Sequence, residues 1–191
     1  MRIRATDDAI YRLKVSLRGV RPPIWRRFLV PAGITLRRLH DCLQEVMGWT
    51  QSHLHQFEAG GVIYGTPDLE FGVATISESR ARLDQLLRRP KDRLTYEYDF
   101  GDSWEHDVVL ESILPPAPAA RYPIVEDGKR ACPPEDCGGP YGYLRFLEII
   151  ADPRHPEHEE MLEWAGGDFD PEAFEVPRTK EARRARPTRG L

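Results

Sequence analysis

Three stretches of this chain alternate apolar and polar residues with a two-residue period, a pattern that a β-sheet with one buried face satisfies. Tyr11, Leu13, Val15 and Leu17 alternate with Arg12, Lys14, Ser16 and Arg18; Leu94, Tyr96, Tyr98 and Phe100 alternate with Thr95, Glu97 and Asp99; Trp104, His106, Val108 and Leu110 share one side of a third stretch. Successive side chains of a strand point to opposite faces, so each stretch offers one apolar row to a core. Pro22-Pro23 breaks the first strand, and Ile24 to Val30 reads as its hairpin partner. His53 to Glu58 and Val62 to Tyr64 form a second hairpin across Gly60-Gly61. Arg93 to Phe100 and Ser103 to Leu114 form a third, with Gly101 expected to supply the unusual φ of its turn and the aspartates to accept from backbone amides; the alternative role for Asp99 or Asp102 is to complete a metal shell.

Helical periodicity occurs most clearly once. Thr35 can cap a helix in which Leu36, Leu39, His40, Leu43, Val46 and Met47 recur at three- and four-residue spacing, and Gly48 stops it. Shorter helices are expected over Ala81 to Leu87, from Gly139-Pro140 to Ala151, and over His158 to Trp164, with Pro115 to Ala120 as a linker or surface loop. The order implies an α+β fold: a mixed or antiparallel sheet of hairpins packed against helices on one face, with a β-grasp-like element order in the N-terminal half. Residues 1–178 read as a single α+β domain and 179–191 as a disordered basic tail.

Composition narrows the class. No apolar run is long enough to span a bilayer, and the N-terminal MRIRATDDAIYRL lacks the apolar stretch of a secretory signal, so no membrane contact and a cytoplasmic location are expected. Three cysteines build no disulfide framework. Residues 1–38 carry ten Lys/Arg against Asp7 and Asp8, a surplus of +8; residues 152–175 carry nine Asp/Glu against Arg154, a surplus of −8. The two ends are therefore expected to attract each other.

The strings RPPIWRRFLVP, TLRRLHDCLQEVMGW followed by HLHQF, YEYDFGDSWEHDVVLE and GKRACPPEDCGGPYGY together resemble the plasmid pRiA4b ORF-3-like family, over about Tyr11 to Phe174. Such proteins are passengers of plasmids and insertion elements and are sometimes labelled resolvase-type (TnpR). The resemblance implies an α+β fold and a mobile-element, bacterial cytoplasmic context, and it names no reaction. A serine recombinase would need its nucleophile in a Tyr-x-Arg-Val-Ser-Thr setting. Here YRLKVSLRG has Lys14 and Leu17 at the arginine and threonine positions, Ser16 falls on the solvent face, and no basic recognition helix follows. Recombinase activity is excluded on those residues.

Two functional expectations follow. The leading one is a non-catalytic binding or interaction module that meets nucleic acid or an acidic protein through a basic N-terminal hairpin of Arg12, Lys14, Arg18, Arg21, Trp25, Arg26 and Arg27. Trp25 can equally anchor a core, with the arginines paired to carboxylates of this same chain. The alternative is a metal-dependent hydrolase of the zinc type. His53 and His55, two apart on an expected strand, share a face; His106 lies on the apolar face of another; Cys132 and Cys137 stand in a Pro-rich loop. Three imidazoles with an open position activate water, whereas two imidazoles and two thiolates close a structural site. His40 reads as a core histidine, Cys42 as an inert thiol, and Glu135 and Asp136 as charges that favour a helix N-terminus.

Overall fold

The computed structural model describes residues 9–66, 75–117 and 120–176. The expected basic tail lies outside the described residues. Eight strands form one mixed sheet: β1 (Ile10–Leu17), β2 (Trp25–Pro31), β3 (His55–Ala59), β4 (Val62–Gly65), β5 (Thr75–Ser77), β6 (Arg93–Tyr98), β7 (Trp104–Leu114) and β8 (Ile124–Lys129). Their order is β5-β4-β3-β6-β7-β1-β2-β8, antiparallel throughout except for the parallel β4–β5 pair. The helices are α1 (Leu36–Met47), α2 (Leu83–Leu86), α3 (Gly139–Ala151) and α4 (His158–Trp164).

The alternating rows become the core. Tyr11, Leu13 and Val15 of β1, Phe28 of β2, Tyr96 and Tyr98 of β6, and Val108 and Leu110 of β7 are fully buried and pack with Leu36, Leu39 and Leu43 of α1 and Tyr143 and Phe146 of α3. Each fully buried aliphatic or aromatic side chain of this kind contributes about 1.5–3 kcal/mol relative to exposure. Thr35 caps α1 by accepting from Arg38 N, and Gly48, at φ 94°, ends it with its N–H on Gln44 O. Leu39 and Leu43 of α1 thereby face the sheet.

Two strands are absent from the sequence expectation, β5 and β8. Both are edge strands, and their half-exposed residues show no alternation, because an edge buries little on either face. The β6–β7 turn also differs in detail. Its left-handed residues are Asp99 (φ 58°) and Ser103 (φ 54°) rather than Gly101, since Asp99 Oδ1 accepts from Gly101 N and Asp102 N and holds the turn from its first position. Among the described residues, no helix is long and apolar enough to cross a membrane.

Candidate metal centre

The outer face of the sheet carries the basic hairpin, and its charge is met within the chain. Arg12 is bidentate to Glu126, Arg18 binds Glu105 and Asp107, and Arg27 is bidentate to Glu111 at 2.6 and 3.1 Å and reaches Asp127. The Arg27 and Arg18 guanidiniums hold the Glu111 and Asp107 carboxyls below the usual carboxylate range. Lys14 and Arg27 lie 4.7 and 5.2 Å from the Trp25 ring, so the tryptophan is a half-buried platform on the charged face. Arg21 is exposed at the Pro-Pro turn. Arg26 is on the opposite face: only 3 % exposed, it donates to Trp25 O, Val46 O and Lys129 O and stacks on Phe174. It belongs to the interior, because β2 alternation puts it in the same row as Phe28.

The expected attraction between the chain ends takes another form. The carboxylates that meet the hairpin come from β7 and β8, whereas Glu157 of the acidic block pairs with Arg145 and Glu172 with Arg130.

The histidines separate into two settings. His55 opens β3, and its Nε2–H donates to Glu78 at 2.8 Å; its ring stacks on His40 with centroids 3.5 Å apart. Gln44 Nε2 donates to the Tyr96 hydroxyl, which is left to donate to His40 Nδ1 at 2.8 Å. Burial drives the His40 pKa down to about 3, so this ring is neutral. His106, completely buried, hydrogen-bonds Tyr96 O through Nδ1 at 3.2 Å, and burial lowers its pKa to about 4; its Nε2 has no partner.

His53 lies in the loop before β3, outside the alternation that would align it with His55. Its Nδ1 is 3.6 Å from Asp99 Oδ2, and its Nε2 is 3.1 Å from Asp136 Oδ1. The Nε2 atom is buried and, despite that proximity, makes no hydrogen bond: the carboxylate is near it and off its line. Among the described residues, His53, Asp99 and Asp136 are the group whose ligand atoms all lie within 4.8 Å of one another. His55, His106, Cys132 and Cys137 are outside that group. Burial pushes both thiols up, Cys137 to about 12, so they are protonated at neutral pH.

Three loops clasp this point. From the α1–β3 loop, Thr50 N and Oγ1 donate to Glu135, Ser52 N donates to the Tyr98 hydroxyl, and Trp49 Nε1 donates to Pro133 O. The Tyr98 hydroxyl in turn donates to Glu135 at 2.5 Å. From the β6–β7 turn, Asp102 Oδ2 accepts from Gly138 N. The loop before α3 closes the ring, and its glycines have a steric reason: a Cβ on Gly142 would stand 1.9 Å from Cys137 O, and one on Gly139, at φ 68°, would stand 2.4 Å from Asp102 O. These contacts hold the backbone on both sides of Asp136, whose exposed side chain reaches His53 from the side opposite Asp99.

The sequence named His53, offered Asp99 or Asp102 to complete a metal shell, and gave Asp136 only a helix-terminus role. The signal available was the pair of short acidic turns, Asp99-Phe100-Gly101-Asp102 and Glu135-Asp136, in the same strings that carried the family resemblance.

The chain is an α+β protein, and comparison gives its family: it belongs to the family described as plasmid pRiA4b ORF-3-like protein, matched over residues 9–178. It is 42 % identical over 176 residues to the uncharacterised protein y4hQ of Sinorhizobium fredii (strain NBRC 101917 / NGR234), covering 91 % of this chain and 90 % of that one. A crystal structure of a protein of unknown function, MM3350 from Methanosarcina mazei Go1, superimposes with a TM-score of 0.81 at 40 % identity, covering 90 % of this chain and 97 % of that one.

Proposed function

We propose that this protein binds one divalent ion, zinc or manganese, through His53, Asp99 and Asp136, and uses it for hydrolytic chemistry. The observation that carries the reading is the convergence of one imidazole and two carboxylates, with His53 Nε2 buried and without a hydrogen bond. One nitrogen and two oxygen donors suit borderline to hard first-row ions, and three protein ligands leave positions for water, whose pKa such an ion lowers toward neutrality. Within the chain, the Gly101 and Asp102 amides orient Asp99, while Asp136, with 69 % of its side chain exposed, has room to swing onto the ion.

Contact with nucleic acid or an acidic protein through the basic hairpin draws less support, because the guanidiniums of Arg12, Arg18 and Arg27 already face carboxylates.

Elemental analysis of the untagged full chain, after equilibration with zinc or manganese and removal of excess, tests the proposal. About one ion per chain is expected, lost in His53→Ala and Asp99→Asn and kept in Cys132→Ser/Cys137→Ser. An ion that survives His53→Ala but leaves with the cysteines overturns the ligand set, and absence of any retained ion overturns the reading.

A further inference from the structure

A groove of about 440 Å³ begins at Asp136 and runs between α3 and α4, in the size range of small-ligand pockets. Its near end, at Asp136 and Gly138 before α3, is polar; Arg145 also lines it, paired at 3.4 Å with Glu157, a second carboxylate of the lining. Phe146, Ile149, Met161 and Trp164 supply its apolar lining. Two of the large apolar side chains exposed on this molecule line it. Tyr141 (83 % exposed) and Trp164 line the groove, and Leu54 and Phe100, also exposed, directly follow His53 and Asp99 in the chain. A concave surface lined by polar groups and by exposed aromatic side chains together is costly to leave in water and marks a binding site.

We infer that the groove is the body-binding half of the same site and takes a small amphipathic anion: an anionic head on the ion and an aromatic or similarly flat apolar body against Tyr141 and Trp164. This rests on the metal reading above, because a bound cation makes the near end of the groove attractive to an anion. The helix α3 N-terminus adds to the same sign, while Arg145 is balanced by Glu157. Concavity and volume fit a small molecule rather than a protein surface, for which about 800 Å² per partner is usual.

The test is calorimetric titration of the zinc-loaded full chain with three probes: 1-naphthyl phosphate, inorganic phosphate and 1-naphthol. The aryl phosphate is expected to bind once per chain and about tenfold or more tighter than either fragment, since burying the ring area adds to the head-group contact. Tyr141→Ala and Trp164→Ala each weaken the aryl phosphate about threefold or more while leaving zinc content and inorganic phosphate affinity unchanged. Tyr141 is so exposed that its truncation leaves the fold intact. Full zinc occupancy with no advantage of the aryl phosphate over phosphate, or with an advantage indifferent to both substitutions, overturns this inference alone. Failure to hold zinc overturns the metal reading instead, and the anionic-head assignment with it.

Discussion

His53 and His55 stand two residues apart and end in opposite conditions. His55 is sealed: its Nε2–H donates to Glu78, its ring is stacked on His40, and Glu78 is itself only 3 % exposed and faces Arg37. His53 is placed between two carboxylates that do not satisfy it, at the edge of a groove. The buried set behaves as part of the core, with the donors that carry it named on both sides. The loop set has donor atoms in reserve, and unused donor capacity near solvent is what a ligand needs. The same contrast applies to the outer face, where arginines that looked available in sequence have their carboxylates supplied from β7 and β8.

The contrast breaks most sharply at Glu78. Glu78→Ala leaves the buried His55 Nε2–H without its acceptor and the half-exposed Arg37 without its carboxylate, and is expected to cost about 1–3 kcal/mol in urea unfolding while leaving the proposed ion site intact. A loss within experimental error would mean that the His40–His55 pair is not the sealed network described. Gly142→Ala reaches the other region through packing. Its Cβ meets Cys137 O, so about 1–3 kcal/mol of destabilisation should come with weakened ion binding, as the Asp136 loop is pushed away. Stability loss without any change in metal affinity would uncouple α3 from the centre.

Acid separates the regions further. The folded His106 pKa of about 4 lies below its ordinary 6.5, so the unfolded chain binds the extra proton. The stability held by the neutral ring is complete above 6.5 and drains as pH falls toward 4, by about 2 kcal/mol at pH 5 from His106 alone. His40, lowered to about 3, acts in the same direction. His106→Phe should flatten the slope of unfolding free energy between pH 7 and pH 5; an unchanged slope would assign the acid sensitivity elsewhere. The smallest effect belongs to the outer face. Arg12→Ala, removing a partly exposed pair with Glu126, should change stability by about 0.5 kcal/mol or less, with the midpoint nearly insensitive to added salt.

What the sequence reveals follows from distance along the chain. The rows Tyr11 to Leu17 and Leu94 to Tyr98, the Thr35 cap and the Gly48 stop are local signals, and they stand in the fold as read. Edge strands β5 and β8 leave no periodic trace because neither face is deeply buried. At the candidate site, His53 carried a signal of its own, but its neighbours come from turns remote in the chain. Asp136 read as a helix-terminus charge because nothing near it in sequence says that α3 docks against the β6–β7 turn. Alternation also misassigned His53 to the face of His55, since the strand starts only at His55.

The three clasping loops lie on either side of most of the core strands, so their coincidence depends on the complete topology. A fragment ending before Cys132 would retain all eight strands with α1 and α2 yet lack Asp136, Glu135 and the glycine turn beside them. An ion bound at the proposed site would recognise the assembled topology and not such a fragment. Its binding free energy would then be drawn into global stability, worth about 2.7 kcal/mol when free ion exceeds its dissociation constant a hundredfold. Docking of α3 against the β6–β7 turn and occupancy of the centre would thus rise and fall together.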